Sequence, residues 1–436
     1  MPSNTINASK QEPSKPDSIK LAIKSEIKFI MQDAWLKALV IWLPIISTLS
    51  LVAIFSAGIA TNLSVGIVDN DKTQLSRGLI RYYNASPTLN VIKYYASQNE
   101  ASEALKQGDV YAISLIPKDL EKNTLKGESP QVSIFYNSQF ILIGKLVNSA
   151  FIKAHSTYVG SIEALQNLVK TQGEVQRSIN QVQPISVQVS PLFNQNTHYG
   201  QFLVSAAVPA VWQIFIVATI VLSFSSKHHI FKINQFKKEQ NEQQAKDSLI
   251  AWLSEFSSKT LMGMLTPYIV IFWLQGMFFL SFFYIILSWP MHGSWLILFV
   301  SQFLFVLACA CMGGFFYFAS LDGARAMSIV AGVTAPAFAF MGVTFPVTDM
   351  PLLAQIWRSI LPVSHYIELQ IGQVNYGSLF ISNIANFLCL IGFCVYFFLM
   401  LFAIKHQKNK INQNTGTLKD SSTQSKSIVK ISENAS

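Results

Sequence analysis

Residues 260–321 read TLMGMLTPYIVIFWLQGMFFLSFFYIILSWPMHGSWLILFVSQFLFVLACACMGGFFYFASL, and between Lys259 and Asp322 there is no Asp, Glu, Lys or Arg. Water would not hold so long a charge-free run in solution, whereas the hydrocarbon core of a bilayer makes charges expensive. Working outward, six apolar stretches appear, at 38–60, 203–224, 264–288, 295–319, 325–345 and 383–404. Each approaches or exceeds the ~20 residues that a helix needs to cross about 30 Å of hydrocarbon. The chain reads as an α-helical polytopic membrane protein with six transmembrane helices.

Composition agrees: 51% of residues are hydrophobic and 13% charged. The formal charge of +9 does not point to nucleic acid, because no basic residues interleave with exposed aromatics on a recognisable module. Lysines instead flank the spans: Lys20, Lys24, Lys28 and Lys37 before the first, Lys227 to Lys246 between the second and third, and Lys405, Lys408 and Lys410 after the last. Short loops rich in Lys and Arg stay cytoplasmic. Both termini are therefore expected inside a bacterial cytoplasmic (inner) membrane and residues 61–201 outside. The cysteines, Cys309, Cys311, Cys389 and Cys394, all fall in spans, so no disulfide framework is expected in the outside segment. The first apolar stretch reads as an uncleaved signal anchor rather than a signal peptide.

The expected order is a disordered 1–17, an interfacial amphipathic helix at 18–34, and a first span at 35–60. In 18–34, Ile19, Ile23, Ile27 and Ile30 recur at helical spacing beside Lys20, Lys24 and Lys28, which suits the membrane surface. Residues 61–201 alternate strand and helix patterns and predict one extracytoplasmic mixed α/β domain. Strands are expected at Ser64–Val68, Leu89–Tyr95, Val110–Ile116, Gln131–Tyr136 and Ile185–Val189. Asp71 or Thr73 would cap a helix through Tyr83, another helix runs Asn99–Gln107, Pro117 would start a third, and Gln139 to Gln181 is largely helical. Asp69, Asn70 and Asp71 lack the further ligands of a calcium loop and read as turn and cap residues.

The second span, 202–224, leads to a cytoplasmic loop at 225–262 that ends amphipathically with Leu249, Ile250, Trp252, Leu253 and Phe256, a docking point for a cytoplasmic partner. Spans three to five occupy 263–345. Pro44, Pro209, Pro267 and Pro336 interrupt four spans, which membranes tolerate when neighbouring helices satisfy the freed carbonyls. Ala331, Ala335 and Ala339 beside Gly332 form a small-residue packing stripe. Residues 346–380 are too apolar for a simple loop and predict two short re-entrant helices split at Pro362. His365 and Glu368 share a face there at i and i+3, read as lining a water-filled vestibule. The last span is 381–404, and 405–436 is expected to be a disordered tail.

No P-loop, His-Glu-x-x-His or Gly-x-Ser-x-Gly motif occurs, so neither a nucleotide cofactor nor a metal or catalytic site is expected. No ionisable residue sits in the middle of a span, which disfavours an ion-coupled carrier. Gln213, Gln275 and Gln302 could meet a polar group of a substrate. A non-transporting envelope receptor or scaffold is the alternative from another class, although anchoring alone would need only one or two spans.

Two regions carry a resemblance. One is Val65-Gly66-Ile67-Val68-Asp69-Asn70-Asp71, Leu75-Ser76-Arg77, Gly108-Asp109-Val110-Tyr111-Ala112 and Ile116-Pro117-Lys118-Asp119-Leu120; the other is Met341-Gly342-Val343-Thr344-Phe345-Pro346, Met350-Pro351 and Leu361-Pro362-Val363-Ser364-His365-Tyr366. In this layout, from about residue 20 to 405, the chain resembles the permease of a bacterial type-2 ATP-binding-cassette (ABC) exporter with a large external domain after the first span. The resemblance implies a dimer of permeases, alike or different, with two cytoplasmic ABC ATPase subunits that hydrolyse the ATP. It implies a solute moved outward, hydrophobic or amphipathic: a drug-like compound, a lipid or an envelope component. It also implies an elbow at 18–34, a coupling helix at 248–258 with Leu249, Trp252, Leu253 and Phe256 toward the ATPase, and an external gate with Pro346, Pro351, Pro362, His365 and Tyr366. The Lys-, Gln- and Asn-rich Lys227–Asp247 departs from the Arg-Glu-rich, Gly-Thr-containing sequence of that family. Membrane lipid is a further expected partner; a periplasmic adaptor is left open, as no particular residue calls for one.

Overall fold

The structure is a computed structural model that describes residues 19–56, 60–126, 128–139, 141–170, 198–236, 242–343, 345 and 347–413. Residues 1–17, the strand expected at 185–189, Pro346 and the tail beyond 413 lie outside the described residues. The chain divides into two compact units, Met1–Ser56 with His198–Ser436, and Ala57–Thr197.

The first unit opens with α1 (Ile19–Gln32), which ends where Asp33 caps α2 (Ala34–Ile54). The Asp33 carboxylate accepts from the backbone N–H of Trp35 at 2.9 Å and Leu36 at 3.0 Å, satisfying donors that a helix start leaves unpaired. The buried stripe of α1 is Ala22, Glu26 and Ile30, whereas Ile19 and Ile27 are 42% and 48% exposed. The expected isoleucine face is thus divided between the bundle and the outside.

The second unit is the insert. Its strands β1 (Leu63–Asp69), β2 (Leu89–Tyr94), β3 (Ala112–Ile116) and β4 (Ser133–Tyr136) form one sheet in the order β2-β1-β3-β4. The first three are parallel and β4 is antiparallel to β3. Side chains alternate across a strand, and two cores result. Leu63, Val65, Ile67, Ala112 and Ile116 pack on one face against α3 (Gln74–Asn84) and α6 (Ile141–Lys170). Val68 and Ile113 pack on the other against Ala101 and Ala104 of α4 (Gln98–Gln107). Thr73 caps α3 through the Ser76 N–H, and Gly108 ends α4 at φ +84°, a left-handed conformation that glycine adopts without strain. The Asp69 carboxylate accepts from the N–H of Asp71 and Lys72 and from Ser76 Oγ: turn and cap chemistry. Pro117 does not start a helix. α5 (Leu120–Leu125) begins three residues later, where Asp71 accepts from the Glu121 N–H at 3.2 Å.

The chain returns to the first unit through α7 (Tyr199–Phe236), which overruns the expected span end at residue 224 by about three turns. The loop expected at 225–262 is therefore mostly helix: the end of α7, then α8 (Glu242–Glu255). There follow α9 (Ser258–Ile286), α10 (Trp295–Ser320), α11 (Gly323–Thr334), α12 (Leu352–Ile360), α13 (Pro362–Val374) and α14 (Phe380–Gln413). Counting the short continuation of α11 to Phe340, six helices are long and apolar enough to cross a membrane. Of their most apolar windows, 78% of that on α7 is buried, against 17% on α2, 22% on the α11 helix and 28% on α14. α7 is the centre post of this unit.

Candidate functional site

Two regions of the membrane unit hold the residues singled out from sequence, and α7 carries both. At one end, Phe224, His228 and Phe231 of α7 meet α8. The Trp252 ring stacks on His228 at 4.9 Å and on Phe231 at 5.5 Å. Phe256 packs edge-on to Trp252 at 4.8 Å and reaches Phe224 and, on α10, Phe318. His228 Nδ1 is 2.7 Å from Tyr317 Oη, also on α10. Trp252, Leu253 and Phe256 are buried and Leu249 half-buried, so these apolar residues seat α8 on the bundle. The opposite face, Asp247, Ala251, Ser254 and Glu255, is exposed. An amphipathic helix on a protein keeps its apolar stripe for the protein; the expected contact residues are the anchor, and the outward face is small and polar.

The second region is the pair of short helices α12–α13. Pro351 precedes α12 on the surface, while Pro362, His365 and Tyr366 are buried on α13. A helix start inside a bundle strands several N–H groups. Pro362, at the first position of α13, has no N–H to strand, and the next N–H, of Val363, donates to Gln213 Oε1 of α7 at 3.1 Å. Seven residues on, Gln370 Nε2 donates to the Ser205 carbonyl at 3.0 Å. That carbonyl is the one that Pro209, lacking an N–H, cannot engage. Residue 363 thus pairs with 213 and 370 with 205, so α13 runs antiparallel to α7 and is tied to it at two levels, ~10–12 Å apart. Tyr366 stacks on Phe305 at 4.8 Å and lies 3.3 Å from Gln302 Nε2.

The same device recurs at α2. Pro44 frees the Val40 carbonyl, the helix widens into a π-turn over Ala38–Trp42, and Gln275 Nε2 reaches the Val40 and Ile41 carbonyls at 3.4 and 3.3 Å. Gln275 Oε1 accepts from Trp212 Nε1 at 3.1 Å. Gln213, Gln275 and Gln302, read from sequence as groups for a substrate, each make a hydrogen bond within the protein, while Gln213 Nε2 and Gln302 Oε1 are buried without a partner among the described residues. His365 and Glu368 meet different partners. His365 Nδ1 meets Asn386 Oδ1 at 3.0 Å and its Nε2 the Ser359 carbonyl at 3.3 Å, whereas Glu368 forms an ion pair with Arg358 of α12.

Sequence reasoning missed Glu26. Its carboxylate, 1% exposed, accepts from Tyr268 Oη of α9 at 2.7 Å and Ser223 Oγ of α7 at 3.1 Å, and it forms an ion pair with Lys227. The signal was present: Glu26 is the one acid on α1, four residues after Ala22 and four before Ile30, on the buried stripe. Among the described residues, no group of three or more His, Cys, Asp or Glu could hold a metal ion.

Residues 35–403 match the family described as ABC-2 family transporter protein. Among curated proteins, none matches this chain. The match runs from α2 into the last helix and takes in the α8 cluster, the α12–α13 pair and the insert. The chain belongs to the ABC-2 family of transporter proteins, as a membrane-spanning component.

Proposed function

We propose that this protein is the permease subunit of an ATP-driven exporter, energised by a separate ABC ATPase that docks on the outward face of α8. The observation that carries the reading is the two-sidedness of α8. Its aromatic side is sealed onto α7 and α10, while Asp247, Ala251, Ser254 and Glu255 face away. A short helix anchored this firmly can pass a push on its exposed side to the long helices beneath it. Lysines on α1, at the end of α7 and near the end of α14 favour both termini in the cytoplasm, with the insert outside. The solute proposed is hydrophobic or amphipathic, moved outward, with the gate at α12 and α13.

A second permease copy completes the assembly. Ala331, Gly332, Ala335 and Ala339 are exposed on the fifth candidate span, and among the described residues nothing beyond its own stretch of helix lies within 4 Å of where a Gly332 Cβ would sit. Small residues of this kind let helices approach closely.

The test is gentle purification of the tagged chain with identification of what accompanies it. A P-loop ATPase should co-purify with the wild type and be lost from Ala251→Arg/Ser254→Arg, while the variant unfolds at the same temperature. Trp252→Asp is a poor probe, because it would bury a charge in the anchor. If no ATPase appears, or if the exposed-face variant retains it fully, the docking assignment fails.

A further inference from the structure

Glu26 is hard to account for as packing. Burying a carboxylate and an ammonium costs more than filling the same space with apolar side chains, unless the geometry is used. Its partners come from two helices: Ser223 and Lys227 from α7, and Tyr268 from α9. Ser223 and Tyr268 also touch each other, at 2.9 Å. Lys227 holds α1 a second time, its Nζ lying 5.1 Å from the centre of the Phe29 ring. α1 lies close on α9, since a Cβ at Gly263 would come within 2.7 Å of Ala22 Cβ and 3.1 Å of the Ile19 carbonyl oxygen.

The next residue on α7 is His228, which stacks on Trp252 of α8 and meets Tyr317 of α10. One turn of α7 therefore touches α8 through His228 and α1 through Lys227. Neighbouring positions on a helix cannot shift independently, so a displacement of α8 that moves His228 also moves Lys227. Among the described residues, three polar side chains of α7 and α9 converge on the Glu26 carboxylate of α1.

We infer that Glu26 is a positioning residue that ties the seating of α1 to the position of α8, through the single α7 turn carrying Lys227 and His228. The functional meaning of that tie rests on α8 being the ATPase dock, but the tie itself can be measured without any ATPase. α1 thereby becomes a moving part at the membrane surface. Its exposed Lys20, Lys24 and Lys28 would travel with it.

Hydrogen exchange of the full-length protein in lipid nanodiscs, read on peptides spanning 19–32, tests this. Glu26→Gln should speed exchange in α1 by about tenfold, as expected for loss of one strong local anchor. Trp252→Ala, a change in α8, should speed exchange in α1 severalfold, and should add nothing further in a Glu26→Gln background. The charge swap Glu26→Lys/Lys227→Glu should recover part of the protection that Glu26→Gln loses. If Trp252→Ala loosens α8 and leaves α1 unchanged, the tie is overturned, whatever Glu26→Gln does. If Glu26→Gln and Trp252→Ala loosen α1 additively, Glu26 is only an anchor and the inference again fails. Should Glu26→Gln not fold, the Trp252→Ala experiment alone decides. Loss of the co-purifying ATPase is scored separately, so failure of the docking assignment is not mistaken for failure of the tie.

Discussion

At the residue scale, the membrane unit turns on amide side chains that satisfy backbone groups left open by proline or by a helix start. A buried N–H deprived of its partner costs about 1–3 kcal/mol. Gln213→Leu, which orphans the Val363 N–H at the start of α13, should therefore lower stability by roughly that amount, read as a lower thermal unfolding midpoint in detergent. Gln370→Leu, which abandons the Ser205 carbonyl opposite Pro209, should do the same. Unchanged midpoints would mean that these bonds are not what holds α13. In the insert, burial pushes the Tyr83 hydroxyl up to about 12, with nearby Ser114 working against the rise. Burial also lowers the pKa of the His155 imidazole below its usual 6.5, and His155 Nδ1 lies 3.2 Å from Tyr83 Oη. Below pH ~6.5 the unfolded chain takes up a proton that the folded insert resists, so stability is full above that pH and falls as acid is added. Protease cleavage within the insert of the intact protein should accelerate on acidification, and His155→Gln should blunt the increase. Acceleration of equal size in the variant would assign the effect to other groups.

At the scale of elements, α1 and α13 depend on close seating. Gly263 is where α9 and α1 approach too closely for a side chain, with Ala22 Cβ in the way. Gly263→Val should lift α1 from α9 and expose peptides 19–32 to exchange, whereas Gly332→Val, in open space within this chain, should leave exchange in the single chain unaltered. Equal effects at the two glycines would show that helix propensity, not the approach, is responsible. α7 is the element on which the rest is hung. Its first half ties down α13, its end ties down α1 and α8, and Pro209 lies between its two attachments to α13. Polar side-chain bonds in place of continuous apolar packing are the kind of contact that can exchange partners when helices rotate.

At the scale of the whole molecule, the chain is two units with separate cores. The insert has an apolar core on each face of its sheet, the minimum for a domain that stands alone. A fragment comprising Ala57–Thr197 should therefore be soluble and unfold in one cooperative transition followed by circular dichroism. A broad, non-cooperative melt would show that the insert needs the rest of the chain to fold.

Much was legible without coordinates, and the reason is local. Charge exclusion from hydrocarbon marks the spans residue by residue. Period-two alternation, caps such as Thr73 and turn residues such as Gly108 mark the strands and helices of the insert, because each is a property of a few adjacent residues. The sequence by itself therefore determined a multi-pass membrane protein of the ABC-2 kind, with six candidate spans and a mixed α/β insert. It did not determine which side of an amphipathic helix faces protein. Trp252 and Phe256 look equally suited to a partner or to a bundle, and only packing against Phe224, His228 and Phe318 decides for the bundle. Nor did it determine that α7 continues past its apolar stretch, that β1 lies between β2 and β3, or that Gln213, Gln275 and Gln370 serve backbone groups on other helices. Those are pairings between residues tens to hundreds of positions apart, decided by which buried polar atoms can reach one another once the chain is folded.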